Sequence, residues 1–214
     1  MTFSIVARCA ETGRLGVAVA TASIAVGARC PFVEGGVGAV VTQNRTHPLI
    51  GPEALGLLRA GAAASDAAAR AANAFPCPDW RQVAVVDAHG QVGTFCGARC
   101  SGVHAVAQGQ GFVTLGNLLA SAGVPTAMAE RFHDSAGLLE DRLLAALDAG
   151  LAAGGEINPL RSAALKVADR EAFPYTDLRI DCDAAPVDRL RVLWQQWQPV
   201  ADTCRKWALD PYGA

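Results

Sequence analysis

The chain has 214 residues, of which 51% are hydrophobic and 18% charged, with a formal net charge of -2. This length suits one domain with a sizeable core, and the composition excludes a disordered chain. A balance so close to neutral supplies no field for nucleic acid or an anionic membrane, so neither is expected as a partner.

Residues 2–9 alternate, with Phe3, Ile5 and Ala7 on one face and Thr2, Ser4, Val6 and Arg8 on the other, which predicts a strand. Thr12-Gly13 reads as a turn into a second strand over residues 14–22. Residues 34–38 form a glycine-rich entry to a strand Ala39–Gln43. Pro52 in a first turn predicts a helix that Gly61 stops. Ser65-Asp66 is expected to cap an alanine-rich helix running to about Ala74. Gln82–Asp87 and Gln91–Phe95 flank the turn His89-Gly90 as a hairpin, and Phe112–Leu115 is a further short strand. Helices follow over about Pro125–Phe132 and after Asp134-Ser135, the second carrying the stripe Leu139, Leu143, Leu147, Leu151 and ended by Gly154-Gly155. Residues 162–168 and about 177–181 are late strands. Leu190, Leu193, Trp194 and Trp197 mark a C-terminal amphipathic helix interrupted at Pro199.

Consecutive strands joined by tight turns make antiparallel sheets, and helices arriving in pairs cover them as outer layers. The expected fold is an α/β (α+β) four-layer α/β/β/α sandwich in one domain, residues 1–214. Flat sandwich faces and the aromatic C-terminal helix predict a homodimer or higher homo-oligomer. No run approaches the ~18 apolar residues of a membrane helix, and no secretory signal is recognised, so a cytoplasmic protein is expected. The seven cysteines include Cys30, Cys96 and Cys100. An odd count favours thiols over a disulfide framework. Cys96 and Cys100 lack a second pair at metal-ligand spacing, and no phosphate or dinucleotide motif is present, so neither metal nor cofactor is expected.

The chemistry that stands out is Thr2, directly behind Met1. With Met1 removed it carries an α-amine and a β-hydroxyl on one Cα, a nucleophile with its own base.

Several stretches, taken in order, resemble a known family. They are Thr2-Phe3-Ser4-Ile5-Val6-Ala7-Arg8, Gly16-Val17-Ala18-Val19-Ala20, Gly38-Ala39-Val40-Val41-Thr42-Gln43, Gly51-Pro52, Gly116-Asn117-Leu118-Leu119-Ala120, Gly154-Gly155 and Ser162-Ala163-Ala164-Leu165. Their order resembles the DUF1028 family of bacterial proteins over residues 2–168, with 169–214 as a C-terminal extension. The resemblance implies the fold of N-terminal-nucleophile (Ntn) hydrolases, Thr2 at the nucleophile position, and hydrolysis of an amide-type bond in a small molecule. The pattern departs from the family after Cys100, where Ser101-Gly102-Val103-His104 replaces the usual Trp-Ala-Gly-His, and again at His47-Pro48 and Arg161.

Beside Thr2, Asn117 is the candidate oxyanion donor. Gln43 at a strand end, Arg45 and His47 in the loop after it, and Ser4 and Arg8 on the Thr2 face are the candidate substrate-binding residues. Arg45 suits a carboxylate, which a guanidinium clamps with two hydrogen bonds. Two further readings compete with an amide hydrolase. One is a deaminase of a small amine-bearing metabolite. The other is a non-catalytic binding or assembly protein that keeps Met1. A hydrolase using Cys30 or Cys100 trails these.

Overall fold

The computed structural model describes residues 2–213, and among them ten strands and five helices are formed. The strands are β1 (Thr2–Arg8), β2 (Leu15–Thr21), β3 (Pro31–Glu34), β4 (Gly38–Asn44), β5 (Arg81–Asp87), β6 (Val92–Cys96), β7 (Ala105–Gly109), β8 (Phe112–Asn117), β9 (Ser162–Ala168) and β10 (Thr176–Ile180). The helices are α1 (Ile50–Arg59), α2 (Ala64–Asn73), α3 (Val124–His133), α4 (Leu139–Ala152) and α5 (Pro186–Leu209).

One sheet runs β10-β9-β2-β1-β8-β7 and the other β3-β4-β5-β6, with every pairing antiparallel. Alternation along the strands sends side chains to opposite faces, and this builds three apolar layers. Phe3, Ile5 and Ala7 of β1 pack under α3, α4 and α5 with Met128, Leu143, Leu147 and Trp194. Val6, Val17, Val19, Val41, Ala84 and Val86 fill the space between the sheets. Val40, Val83 and Val85 meet the alanine face of α2 and Ile50 of α1. The result is the expected four-layer α/β/β/α sandwich. No helix among the described residues is long and apolar enough to cross a membrane.

Four expectations need correction. First, the glycine-rich stretch is not an entry to a strand but the turn of a hairpin: β3 pairs with β4 from Glu34↔Gly38 to Pro31↔Val41. β3 and β7, both unforeseen, lie on sheet edges, where half-exposed side chains need not alternate and Pro31 opens a strand without breaking a ladder. Second, α2 begins two positions early, with Ala63 as its cap in place of Ser65, and Ser65 and Asp66 inside the first turn. There Asp66 favours the positive end of the helix dipole instead of capping it. Third, Leu139, Leu143 and Leu147 are buried but Leu151 is 45% exposed. A spacing of four advances the helix by roughly 40° beyond a full turn at each step, so the stripe rotates out of the core. Fourth, α5 continues through Pro199. Both Pro199 and Gln195, whose carbonyl loses its donor, are exposed, so water completes the bond.

Candidate active site

β1 is a central strand whose N-terminal end carries Thr2, which is 4% exposed. Register puts Thr2 opposite Asn117 of β8. On the other side the pairing Phe3↔Ala20 brings Thr21 of β2 alongside, and the Thr2 hydroxyl donates to the Thr21 hydroxyl at 3.3 Å. Paired residues share a face, so the side chains of Thr2, Thr21 and Asn117 all point between the sheets.

A cavity of about 280 Å³ opens there, lined by Thr2, Thr21, Ser23, Arg29, Cys30 and the loop residues Asn44, Arg45 and Thr46, with Val26 behind them. A larger cavity of about 430 Å³ lies at the other end of β4 and β5, against Gly36, Asp87 and His89. It lacks a nucleophile, whereas the smaller one collects hydroxyls and two guanidinium groups and has no carboxylate among its lining residues. The loop between Thr21 and Pro31 is tied down by Ser162, whose hydroxyl donates to Ser23 O at 2.7 Å and accepts from the Val26 N–H at 3.1 Å. Arg45 stacks its guanidinium 4.0 Å from the centre of the Trp80 ring. Arg29 donates to Ile24 O at 3.0 Å and keeps its charge exposed at the rim.

Beneath Thr2 lies a fully buried chain of amides. Ser4 Oγ donates to Gln43 Oε1 at 2.7 Å, and Gln43 Nε2 donates to Gln82 Oε1 at 2.8 Å. Asn117 Nδ2 donates to the same Gln82 oxygen at 3.0 Å. Gln82 Nε2 donates to Gly116 O at 3.0 Å and reaches Cys96 Sγ at 3.6 Å. Ser4, Gln43, Gln82 and Asn117 are all 0% exposed. The chain fixes every amide orientation, because turning Asn117 over would set two oxygens against each other. One buried acceptor is left over, Asn117 Oδ1.

Ser4 and Gln43 therefore lie below the cavity, bonded to one another and to Gln82, and are not part of its wall. Gln82, the hub of the chain, was not among the expected residues. Its only sequence signal is a polar residue in phase with the buried Ala84 and Val86. Asn117 does stand beside Thr2, and its second Nδ2 hydrogen remains available as a donor. Gly116-Asn117 extends β8 instead of turning, and the left-handed residue is Leu118 at φ 50. Asn44, at φ 69, is left-handed too, so backbone strain gathers on both sides of Thr2.

Two expectations fail on geometry. Arg8 is at the far end of β1, six residues from Thr2, or about 20 Å at strand rise. It lines a separate cavity with Thr12, Gly13 and Asp169. Sharing a strand face is not the same as sharing a site. His47 stacks on Phe75, ring centres 4.3 Å apart, and is not part of the cavity wall.

Glu156, the acid directly after Gly154-Gly155 and given no role from sequence, also stands at the site. It is 7% exposed; Oε1 accepts from the Ala22 N–H at 2.9 Å, and Oε2 has no partner. Burial pushes its carboxyl up to about 7, against the opposing Ala22 hydrogen bond.

The cysteines divide sharply. Burial pushes the Cys30 thiol up to about 12, so it stays protonated and unreactive at neutral pH although it lines the cavity. Cys100 is raised as well, because its hydrogen bond to Cys96 holds its proton. That same bond pulls Cys96 down to about 6, against partial burial. Neither cysteine named as an alternative nucleophile is therefore activated; the thiol shifted downward is that of Cys96. At pH 6.5 iodoacetamide is expected to label Cys96 well before the exposed Cys77 and Cys182, with a rate that rises through pH 6. Cys100→Ala removes the donor and moves that midpoint up. Peptide mass mapping reads the order of labelling; equal rates at the three cysteines would contradict the assignment.

Among known structures, Anbu (ancestral beta-subunit) from Yersinia bercovieri aligns over 91% of this chain and 93% of its own, at 10% identity and a TM-score of 0.44. Protein SPO2555 from Silicibacter pomeroyi, whose crystal structure is described as DUF1028, is far more similar. It has 32% identity and a TM-score of 0.85 over 92% of this chain and 88% of its own. No curated protein matches the sequence. The model of the family of unknown function DUF1028 matches residues 2–190, running past Ala168 through β10 into the start of α5. The chain belongs to the DUF1028 family.

Proposed function

We propose that this protein is an Ntn-type hydrolase that cleaves an amide-type C–N bond in a small anionic molecule, with Thr2 as nucleophile after removal of Met1. Met1 itself lies outside the described residues. The observation that carries the reading is a strand-terminal threonine whose hydroxyl borders a polar cavity and touches a second hydroxyl, Thr21, at 3.3 Å.

The liberated α-amine, ordinarily titrating at about 7.7–8.0, takes the proton of Oγ1 as the oxygen attacks the substrate carbonyl. A C–O bond forms, and negative charge gathers on the carbonyl oxygen. The remaining Nδ2 hydrogen of Asn117, paired across the strands with Thr2, is the donor assigned to that charge. The C–N bond breaks as the leaving amine takes the proton back from the α-ammonium. Water then hydrolyses the ester on Thr2 by the same proton route in reverse and restores the enzyme.

The volume of about 280 Å³ is at the small end for ligand sites. Arg29 and Arg45 at the mouth, with no acid among the described lining residues, favour a substrate carrying a carboxylate.

Two measurements test this. Intact mass of active protein from its native host is expected to lack Met1; an active preparation that keeps Met1 rules out the amine as base and leaves the binding-protein reading. With succinamate and succinamide as probes, ammonia release is expected to be at least about tenfold faster from succinamate, which offers the arginines a carboxylate. Equal rates would remove the preference for an anion.

A further inference from the structure

We propose that Glu156 is the carboxylate that receives the α-ammonium of Thr2, holding the amine toward Oγ1 and stabilising the positive charge it gains when it takes the hydroxyl proton. The inference rests on the reading of Thr2 as a first residue.

The argument is positional. β1 lies between β2 and β8, and Thr2 is flanked by Thr21 and Asn117. Beyond Thr2, the two neighbouring strands continue as Ala22 and as Leu118-Leu119. Glu156 bonds to both continuations. Its backbone bridges to Leu119, flanked by Ile157 N–H to Leu118 O at 3.1 Å and Ala120 N–H to Gly155 O at 3.0 Å. Its carboxylate crosses to the Ala22 N–H at 2.9 Å. Ala22 is one residue past Thr21, so this carboxylate stands about 3.4 Å further along the strand axis than the level of Thr2, on the side of the Thr2 nitrogen.

The approach depends on Gly154 and Gly155, at φ +106 and +57, where any side chain is strained. They turn the chain at the end of α4 so that residue 156 meets Leu119.

Glu156 leaves Oε2 buried and unbonded, and Asn117, on the other flank of Thr2, leaves Oδ1 in the same state. A buried acceptor without a donor is costly, and an ammonium with three hydrogens supplies donors to both. The described residues that border this position carry no titratable side chain: Thr21 and Ala22 on one side, Leu118 and Leu119 on the other, and Gly154 and Gly155 before Glu156. Arg161 turns its guanidinium away to Cys182 Sγ, at 3.1 Å. Raised by burial, the carboxyl gains by pairing with a cation, so each group draws the other into its charged form. The arrangement repeats the logic of a buried acid behind a catalytic base, with an α-amine in place of an imidazole.

The test uses the full chain beginning at Thr2, verified by intact mass and labelled with 13C-threonine. The Thr2 resonances are followed against pH in the wild type, Glu156→Gln and Glu156→Asp. Glutamine keeps the shape and the acceptor for Ala22 but removes the charge; the amine midpoint is expected to fall by about one unit. Aspartate keeps the charge but withdraws it, giving a midpoint between the other two, and this variant carries the test if the glutamine protein fails to fold. A role confined to bracing Ala22 changes the melting temperature and leaves the amine midpoint where it was. Identical midpoints in all three proteins overturn the proposal. Because no turnover is measured, the outcome is separate from the hydrolase reading: the midpoint shift stands in a protein that cleaves nothing, and its absence stands against Glu156 in one that cleaves well.

Discussion

Alanine in place of Thr2 is expected to give a folded protein whose turnover falls by at least about 10³-fold, since nucleophile and proton donor vanish together. Little structure goes with it. Thr2 contributes a hydroxyl bonded to Thr21 at 3.3 Å, and the loss of one such bond costs about 1 kcal/mol. Substrate affinity is expected to stay within a few fold, because Arg29, Arg45 and Asn44 are untouched. Serine at the same position keeps both the oxygen and the amine and is expected to retain a measurable part of the rate. Single-turnover kinetics on the three proteins, with melting curves as control, decide the matter. An alanine variant at full rate would move the chemistry to another residue.

Gln82→Leu is expected to have the largest effect on stability. Leucine fits the volume but cannot accept from Gln43 and Asn117 or donate to Gly116 O, leaving three buried polar groups stranded. At about 1–3 kcal/mol each, less what local rearrangement recovers, the loss is about 4 kcal/mol. For a chain of this size that lowers the melting temperature by about 10 °C. Gln82→Glu supplies the contrast: it keeps an acceptor for Gln43 and Asn117 but puts a charge where Gly116 O needs a donor. It is expected to be stabilised relative to its own neutral-pH value as pH falls and the carboxyl protonates. Urea melts of the two variants at pH 5 and pH 8 measure both effects; a leucine variant as stable as wild type would mean that the buried amides are dispensable.

The sequence was clearest where side chains alternate through a buried strand. Phe3, Ile5 and Ala7 separated cleanly from Ser4 and Val6, and Ser162–Ala168 matched β9 at both ends. It was weakest at sheet edges, where β3 and β7 carry no strong alternation. The site was half legible. Thr2 announced itself by position, and Arg45 and Asn117 by their neighbours. Arg8 misled because face periodicity carries no information about distance along a strand. Gln43 and Gln82 bore a usable signal, a polar side chain in step with Val41 and Ala84 on the inner face, where an amide requires a partner across the sheets. Glu156 bore only its position after Gly154-Gly155: its place depends on a bridge to Leu119, and pairings between distant segments leave no local trace.

The central position of β1 also sets a schedule for the newly made chain. An aminopeptidase works on a loose, extended terminus, yet β1 ends up laced between β2 and β8 with Thr2 almost wholly covered. β8 begins at Phe112, so more than half of the polypeptide has to leave the ribosome before that lacing can close. If Thr2 is the proposed nucleophile, its trimming therefore belongs to the period of synthesis, while β1 still lacks one of its two neighbours, and a chain that folds first would keep its terminal residue out of an aminopeptidase's reach.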